Sequence, residues 1–275
     1  MTQPKQQQHA PPVIVPPAST HSHTVIFLHG RGDNARNFSL SLRYSTTSRD
    51  LNLGEAFPSF RWVFPQAAME NSVGFGGNMT SQWFDIYNVR DFAQHEDLQA
   101  VGLRVSVERI RELILQEADM LGGRYDRVIL MGISQGAATS VHTLLNLDLP
   151  CGLGAFLGFS CRMPFPGRTL SETRKVLTLD HVPAHATVLE KTPMMLEHCA
   201  NDPLVLVENG RALRDTLRGF GATVAWKEYP DGGHWFNSPR GIEDAIEFLN
   251  KIIGGPSTPA STTSPVRQYM FRSPP

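Results

Sequence analysis

Short apolar runs at 24–28, 60–64, 128–131, 154–159, 194–198 and 223–229 recur through this 275-residue chain, and helical spacings lie between many of them. The clearest helical pattern spans about 96–121, where Leu98, Val101 and Val105, then Ile110, Leu113, Ile114 and Leu121, recur at helical spacing. Others run at about 135–146, 208–219 and 241–253. Several of the strand-like runs are apolar at every position instead of alternating, which requires burial on both faces. Such strands, interleaved with helices, predict a doubly wound, mostly parallel sheet with helices on both faces, a single α/β domain.

The prolines mark its expected limits. Half of the 20 lie in residues 1–20 and 254–275, which read as disordered tails around a domain at 21–253. Within the first tail, Val13-Ile14-Val15 is an apolar patch able to add an edge strand. The formal net charge is −1, and the interior is more acidic still once Lys5, Arg267 and Arg272 are set aside. A nucleic-acid partner is therefore not expected. Three cysteines without CxxC spacing suit a reducing compartment, and no apolar run is long enough to span a bilayer, so a cytoplasmic location without integral membrane association is expected. Thr2 stands where myristoylation needs glycine, and no cysteine is placed for prenylation.

In sheets of this kind ligands gather at the carboxyl ends of the strands. Gly132-Ile133-Ser134-Gln135-Gly136 follows one apolar run and opens a helical stretch. That is GxSxG in the strand–turn–helix setting that lifts a serine hydroxyl above a sheet. Such a serine needs a base. His234, in a Gly-Gly loop after the last strand, is the candidate. His142 is turned away along the helix, His21 and His23 are expected to face solvent, and Pro183 between His181 and His185 spoils a metal pair. Asp202, in a turn stiffened by Pro203, is the carboxylate expected to orient the base; Asp231 lies too near His234 in sequence to reach its far nitrogen. The backbone N–H groups of Gln135 and Arg31 are expected to form an oxyanion hole. The tripeptide Arg31-Gly32-Asp33 carries too little information to indicate adhesion.

Val25-Ile26-Phe27-Leu28-His29-Gly30 with Gly32-Asp33, then Ser81-Gln82-Trp83-Phe84-Asp85, the serine motif, Asp202-Pro203-Leu204-Val205 and Gly233-His234 together resemble the acyl-protein thioesterase family, also called the phospholipase/carboxylesterase family. The resemblance covers most of 24–253. It implies an α/β-hydrolase fold without a large cap domain, and hydrolysis of acyl esters or thioesters with no cofactor and no metal. It gives Ser134, Asp202 and His234 the triad roles, Gln135 and Arg31 the oxyanion roles, and the Trp83 region the wall of an acyl channel.

Three departures bear on substrate. Arg31 stands where the family commonly has leucine, and a guanidinium at the acyl mouth would suit a polar or anionic substrate. Residues 66–78 replace a more apolar loop, and 161–193 is longer than usual and could form an extra lid. An esterase for a small polar metabolite is therefore the alternative within enzymes, and a non-catalytic binding protein that kept the fold is the alternative outside them. Monomer and homodimer both remain open.

Overall fold

The computed structural model describes residues 10–254; residues 1–9 and 255–275, and with them nearly all of the expected C-terminal tail, lie outside the described part. Seven strands form one sheet: β1 (Val13–Val15), β2 (His23–Leu28), β3 (Phe60–Phe64), β6 (Val128–Ile133), β7 (Ala155–Phe159), β8 (Met194–Cys199) and β9 (Val224–Tyr229). Their spatial order is β1-β3-β2-β6-β7-β8-β9. Every pairing is parallel except that of β1 with β3. The remaining strands, β4 (Ala68–Ser72) and β5 (Asn78–Gln82), make a separate antiparallel hairpin.

The central strands are apolar at nearly every position because each face of the sheet has its own core. Ile26, Leu28, Leu130, Phe156 and Leu196 point into one, while Val25, Phe27, Ile129, Met131, Leu157 and Met195 point into the other. The first core is closed by α3 (Leu98–Met120), α4 (Gln135–Asn146) and α7 (Val207–Gly219), through side chains such as Leu103, Val107, Ile110, Val141 and Leu213. The second is closed by α1 (Ala35–Ser41), α2 (Leu53–Ala56) and α8 (Arg240–Ile253), through Phe38, Leu53, Ile242, Ala245 and Leu249. This is the α/β-hydrolase arrangement.

The structure corrects three expectations. The sheet begins at Val13: the 13–15 patch does add an edge strand, inside the segment otherwise assigned to the N-terminal tail. Val13, Ile14 and Val15 pair with Phe64, Val63 and Trp62, the Ala18 N–H reaches the Pro58 carbonyl at 2.7 Å, and Arg109 donates to the Ala10 carbonyl. His21 and His23 are half-buried instead of facing solvent: His21 bonds Thr24 Oγ1, and the His23 ring lies 4.9 Å from that of Phe60. Burial, with Arg127 nearby, pushes His23 down to about 4.

The 161–193 segment is no lid. It folds into α5 (Leu170–Val176) and α6 (Thr187–Lys191), and Met163, Phe165, Leu177, Val188 and Leu189 are part of the core. The buried Arg174 pins it by donating to the carbonyls of Leu145, Pro183 and His185.

Candidate active site

Ser134 sits between β6 and α4 with φ 55° and ψ −122°, a sparsely populated positive-φ conformation that costs of order 1–3 kcal/mol in a non-glycine residue. The flanking glycines make the turn possible. A Cβ on Gly132 would lie 2.6 Å from the backbone nitrogen of Ala137, and one on Gly136 would run into the carbonyls of Leu28 and His29. The Ser134 N–H donates to the Phe159 carbonyl at 2.9 Å, which ties the turn to β7.

Asp202 follows β8 and is 2% exposed. Its Oδ1 accepts the N–H groups of Leu204 (2.9 Å) and Val205 (3.0 Å), and its Oδ2 accepts His234 Nδ1 at 2.7 Å. His198 Nε2 stands 3.4 Å from the same Oδ2 while bonding the Val205 carbonyl at 2.7 Å. Burial alone would raise the pKa of Asp202. The hydrogen bonds from His198, His234, Leu204 and Val205 outweigh it and hold the carboxyl well below the usual carboxylate range. An ionised carboxylate only accepts, so the proton between the two residues is on His234 Nδ1, and Nε2 of the neutral ring carries the lone pair. The Gly233 N–H donates to Asn201 Oδ1 at 2.8 Å, fastening the histidine loop to the Asp202 turn. The Asp231 carboxylate faces Asn237 instead, its Oδ1 accepting from Asn237 Nδ2 at 3.4 Å.

The loop after β2 passes directly over the serine: a Cβ built on Gly30 would lie 3.7 Å from that of Ser134. In this loop Gly32 donates to the Ser81 carbonyl and Asp33 to that of Gly30, while the Arg31 N–H takes no part in the pattern. Gln135 opens α4, where first-turn N–H groups have no acceptor within the helix. Ser134, Gln135, Arg31 and His234 line one cavity of about 1150 Å³.

Two of the expected contributions are placed differently. Trp83 is a core residue, 2% exposed, and it is not among the cavity-lining residues. Its indole N–H requires a partner and finds the His29 carbonyl at 2.8 Å, so the ring braces the loop from below and the neighbouring Phe84 takes the cavity wall. The Arg31 guanidinium is turned into the hairpin. It donates to Gln82 Oε1 and Ser72 Oγ, lies over the Phe75 ring at 4.3 Å and stands 3.6 Å from Asp85, with its side chain 9% exposed. With its charge offset by Asp85, it is not a free cation at the acyl mouth.

Sequence reasoning missed the struts. The Gln135 amide accepts the Trp83 N–H at 2.9 Å and donates to the Phe84 carbonyl at 2.7 Å. His29 donates from Nδ1 to the Gly30 carbonyl at 2.7 Å and accepts the Ala67 N–H on Nε2 at 3.1 Å, a pairing possible only for the neutral ring. Burial depresses its pKa accordingly. Both residues stood inside the quoted motifs; the only signal was a polar side chain beside an obligatory turn. Among the described residues no cluster of three His, Cys, Asp or Glu side chains could hold a metal ion, and His185 faces Asp148 at 3.4 Å.

Comparison with known proteins places the chain. The family model for phospholipase/carboxylesterase matches residues 9–253. Acyl-protein thioesterase 1 of Gibberella zeae is 31% identical over 247 residues, covering 88% of this chain and 95% of the relative. Acyl-protein thioesterase 1 of Aspergillus fumigatus is 31% identical over 250 residues, covering 88% and 92%. Among solved structures, acyl-protein thioesterase 2 of Zea mays superposes with a TM-score of 0.67 at 24% identity, over 88% of this chain and 99% of that one, a likeness of fold. The protein belongs to the phospholipase/carboxylesterase family.

Proposed function

We propose that the protein hydrolyses carboxylic ester or thioester bonds of acyl substrates, with Ser134 as nucleophile, His234 as general base and acid, and Asp202 as the group that orients His234. The observation that carries this reading is the 2.7 Å bond from His234 Nδ1 to the buried Asp202, in a cavity that Ser134 shares with His234. The Ser134 hydroxyl gives its proton to His234 Nε2 as the oxygen attacks the carbonyl carbon. The N–H groups of Gln135 and Arg31 receive the developing oxyanion. The imidazolium, stabilised by Asp202, then protonates the leaving alcohol or thiol, and an acyl-serine remains. Water attacks that ester with His234 again as base, which releases the acid and restores the serine. No step draws on a metal or cofactor.

Relatives that carry the acyl-protein thioesterase name support an acylated substrate. The test is turnover of a matched ester and thioester by wild type and Ser134→Ala. The substitution is expected to lower kcat by ~10⁴–10⁶. Equal turnover by the two proteins would remove Ser134 from the mechanism.

A further inference from the structure

Besides Arg31 and the exposed Arg90, the cavity is lined by a buried arginine that hydrolysis does not use. Arg162 lies just beyond β7 and is 6% exposed, yet no carboxylate oxygen stands within ion-pairing distance of it among the described residues. Its one hydrogen bond runs from Nη2 to the neutral Oε1 of Gln99 at 2.6 Å, and its guanidinium lies over the Phe92 ring at 4.0 Å. Neither Nε nor Nη1 is among the side-chain nitrogens sealed off without a partner, and the residue lines the cavity, so donors left over by Gln99 are open to it. Burial, partly opposed by Glu96, lowers the guanidinium to about 10, which leaves it charged at neutral pH. Glu96 itself is engaged, accepting the Phe165 N–H at 2.7 Å. A desolvated guanidinium with open donors and no carboxylate in ion-pairing contact lacks the planar anion that such a group fits.

Position decides which part of the substrate meets it. Cys161 and Met163, on either side of Arg162, pack into the core beneath α3 and α4, whereas Phe236, just past His234, packs into the opposite core. A leaving group protonated by His234 lies on the His234 side, so the acyl portion extends the other way. There Phe84, Ile86, Phe92 and Met163 provide an apolar wall. Asp33, Asp91 and Glu96 also line the cavity, against the exposed Arg90 and the Asp85-paired Arg31, and this acidic excess disfavours a doubly charged group such as a phosphate monoester.

We propose that Arg162 is the specificity-determining residue of this cavity and receives a single carboxylate carried at the far end of the substrate's acyl chain. The substrate class is then the mono-ester or mono-thioester of a dicarboxylic acid. This rests on the Ser134-centred hydrolysis proposed above and deepens it.

The test compares two aryl esters that differ only at the far end, the mono-aryl ester of octanedioic acid and its methyl-capped counterpart, with shorter and longer diacids as a series. Wild type is expected to favour the free carboxylate at its best chain length by about tenfold or more in kcat/KM, chiefly through KM. In Arg162→Gln that ratio should fall to about one or below, and in Arg162→Lys to an intermediate value. The ratio is taken within each variant, so a general loss of activity cancels. Wild type and Arg162→Lys decide the matter if Arg162→Gln does not fold. A wild-type enzyme that cleaves the capped esters as well as the free acids at every length, or an Arg162→Gln enzyme that keeps the preference, overturns the proposal and leaves the hydrolase reading standing. Absence of turnover on every ester, with no labelling of Ser134 by a fluorophosphonate, removes the hydrolase reading and the specificity with it.

Discussion

Gln135 grips the backbone on both sides of the Trp83–Phe84 peptide, accepting the Trp83 N–H at 2.9 Å and donating to the Phe84 carbonyl at 2.7 Å. One residue thereby offers its own N–H beside Ser134 and uses its side chain to hold a wall of the cavity. Gln135→Ala keeps the N–H but removes the clamp and leaves two buried backbone groups unpaired, at a cost of about 1–3 kcal/mol each in stability. A fall in kcat of roughly 10–100-fold is expected, with a smaller change in KM. Steady-state kinetics on a neutral ester check this; an unchanged kcat would show that the clamp has no part in positioning.

Asp202 has both carboxylate oxygens committed, one to backbone and one to His234. Asp202→Asn can keep the Oδ1 bonds to Leu204 and Val205 while presenting an amide N–H to His234. The imidazole must then accept on Nδ1 and carry its proton on Nε2, where it cannot take one from serine. A loss of about 10³–10⁴ in kcat is expected with the fold retained. Circular dichroism and kinetics together decide; wild-type turnover would exclude Asp202 as the orienting group.

Acid should weaken the fold above the range where carboxylates titrate. Burial holds His23 and His142 neutral, each pushed down from 6.5 to about 4. A histidine with a folded pKa below its unfolded value lends full stability above about pH 6.5. That stability is lost as pH falls toward 4, because the unfolded chain takes up protons the fold refuses. The buried His142 accounts for about 3 kcal/mol across that window, and the half-buried His23 for less. Urea unfolding between these pH values should show the decline, and His142→Asn should flatten it. A level profile would contradict the burial argument.

The serine turn also makes a steric demand. A methyl group on Gly132 meets the backbone of Ala137 at 2.6 Å, where neither the strand nor the helix can yield. Gly132→Ala should lose about 3 kcal/mol or more. A thermal melt close to that of wild type would show that β6 and α4 can separate.

What could be read in the sequence was whatever repetition and steric necessity imposed. β6 and β7 are buried throughout, so their composition alone marked them as central. The β4–β5 hairpin went unread because its strands mix polar with exposed apolar residues and pack against neither core. Side-chain direction was the deeper limit. Trp83 and Phe84 are adjacent in one motif, and only the fold decides that the first braces a loop while the second faces the cavity. Arg31 was legible as a cation at the right loop, but not its turn toward Asp85. Arg162 went unremarked, since an arginine in sequence reads as surface until its burial is seen.

The most direct test of the central claim is to map the adduct that a fluorophosphonate leaves on the protein. The expected result is a single modification, located by peptide mass on Ser134, that is absent from a folded Ser134→Ala variant. Equal modification of that variant, or an adduct on another residue with Ser134 untouched, would contradict it.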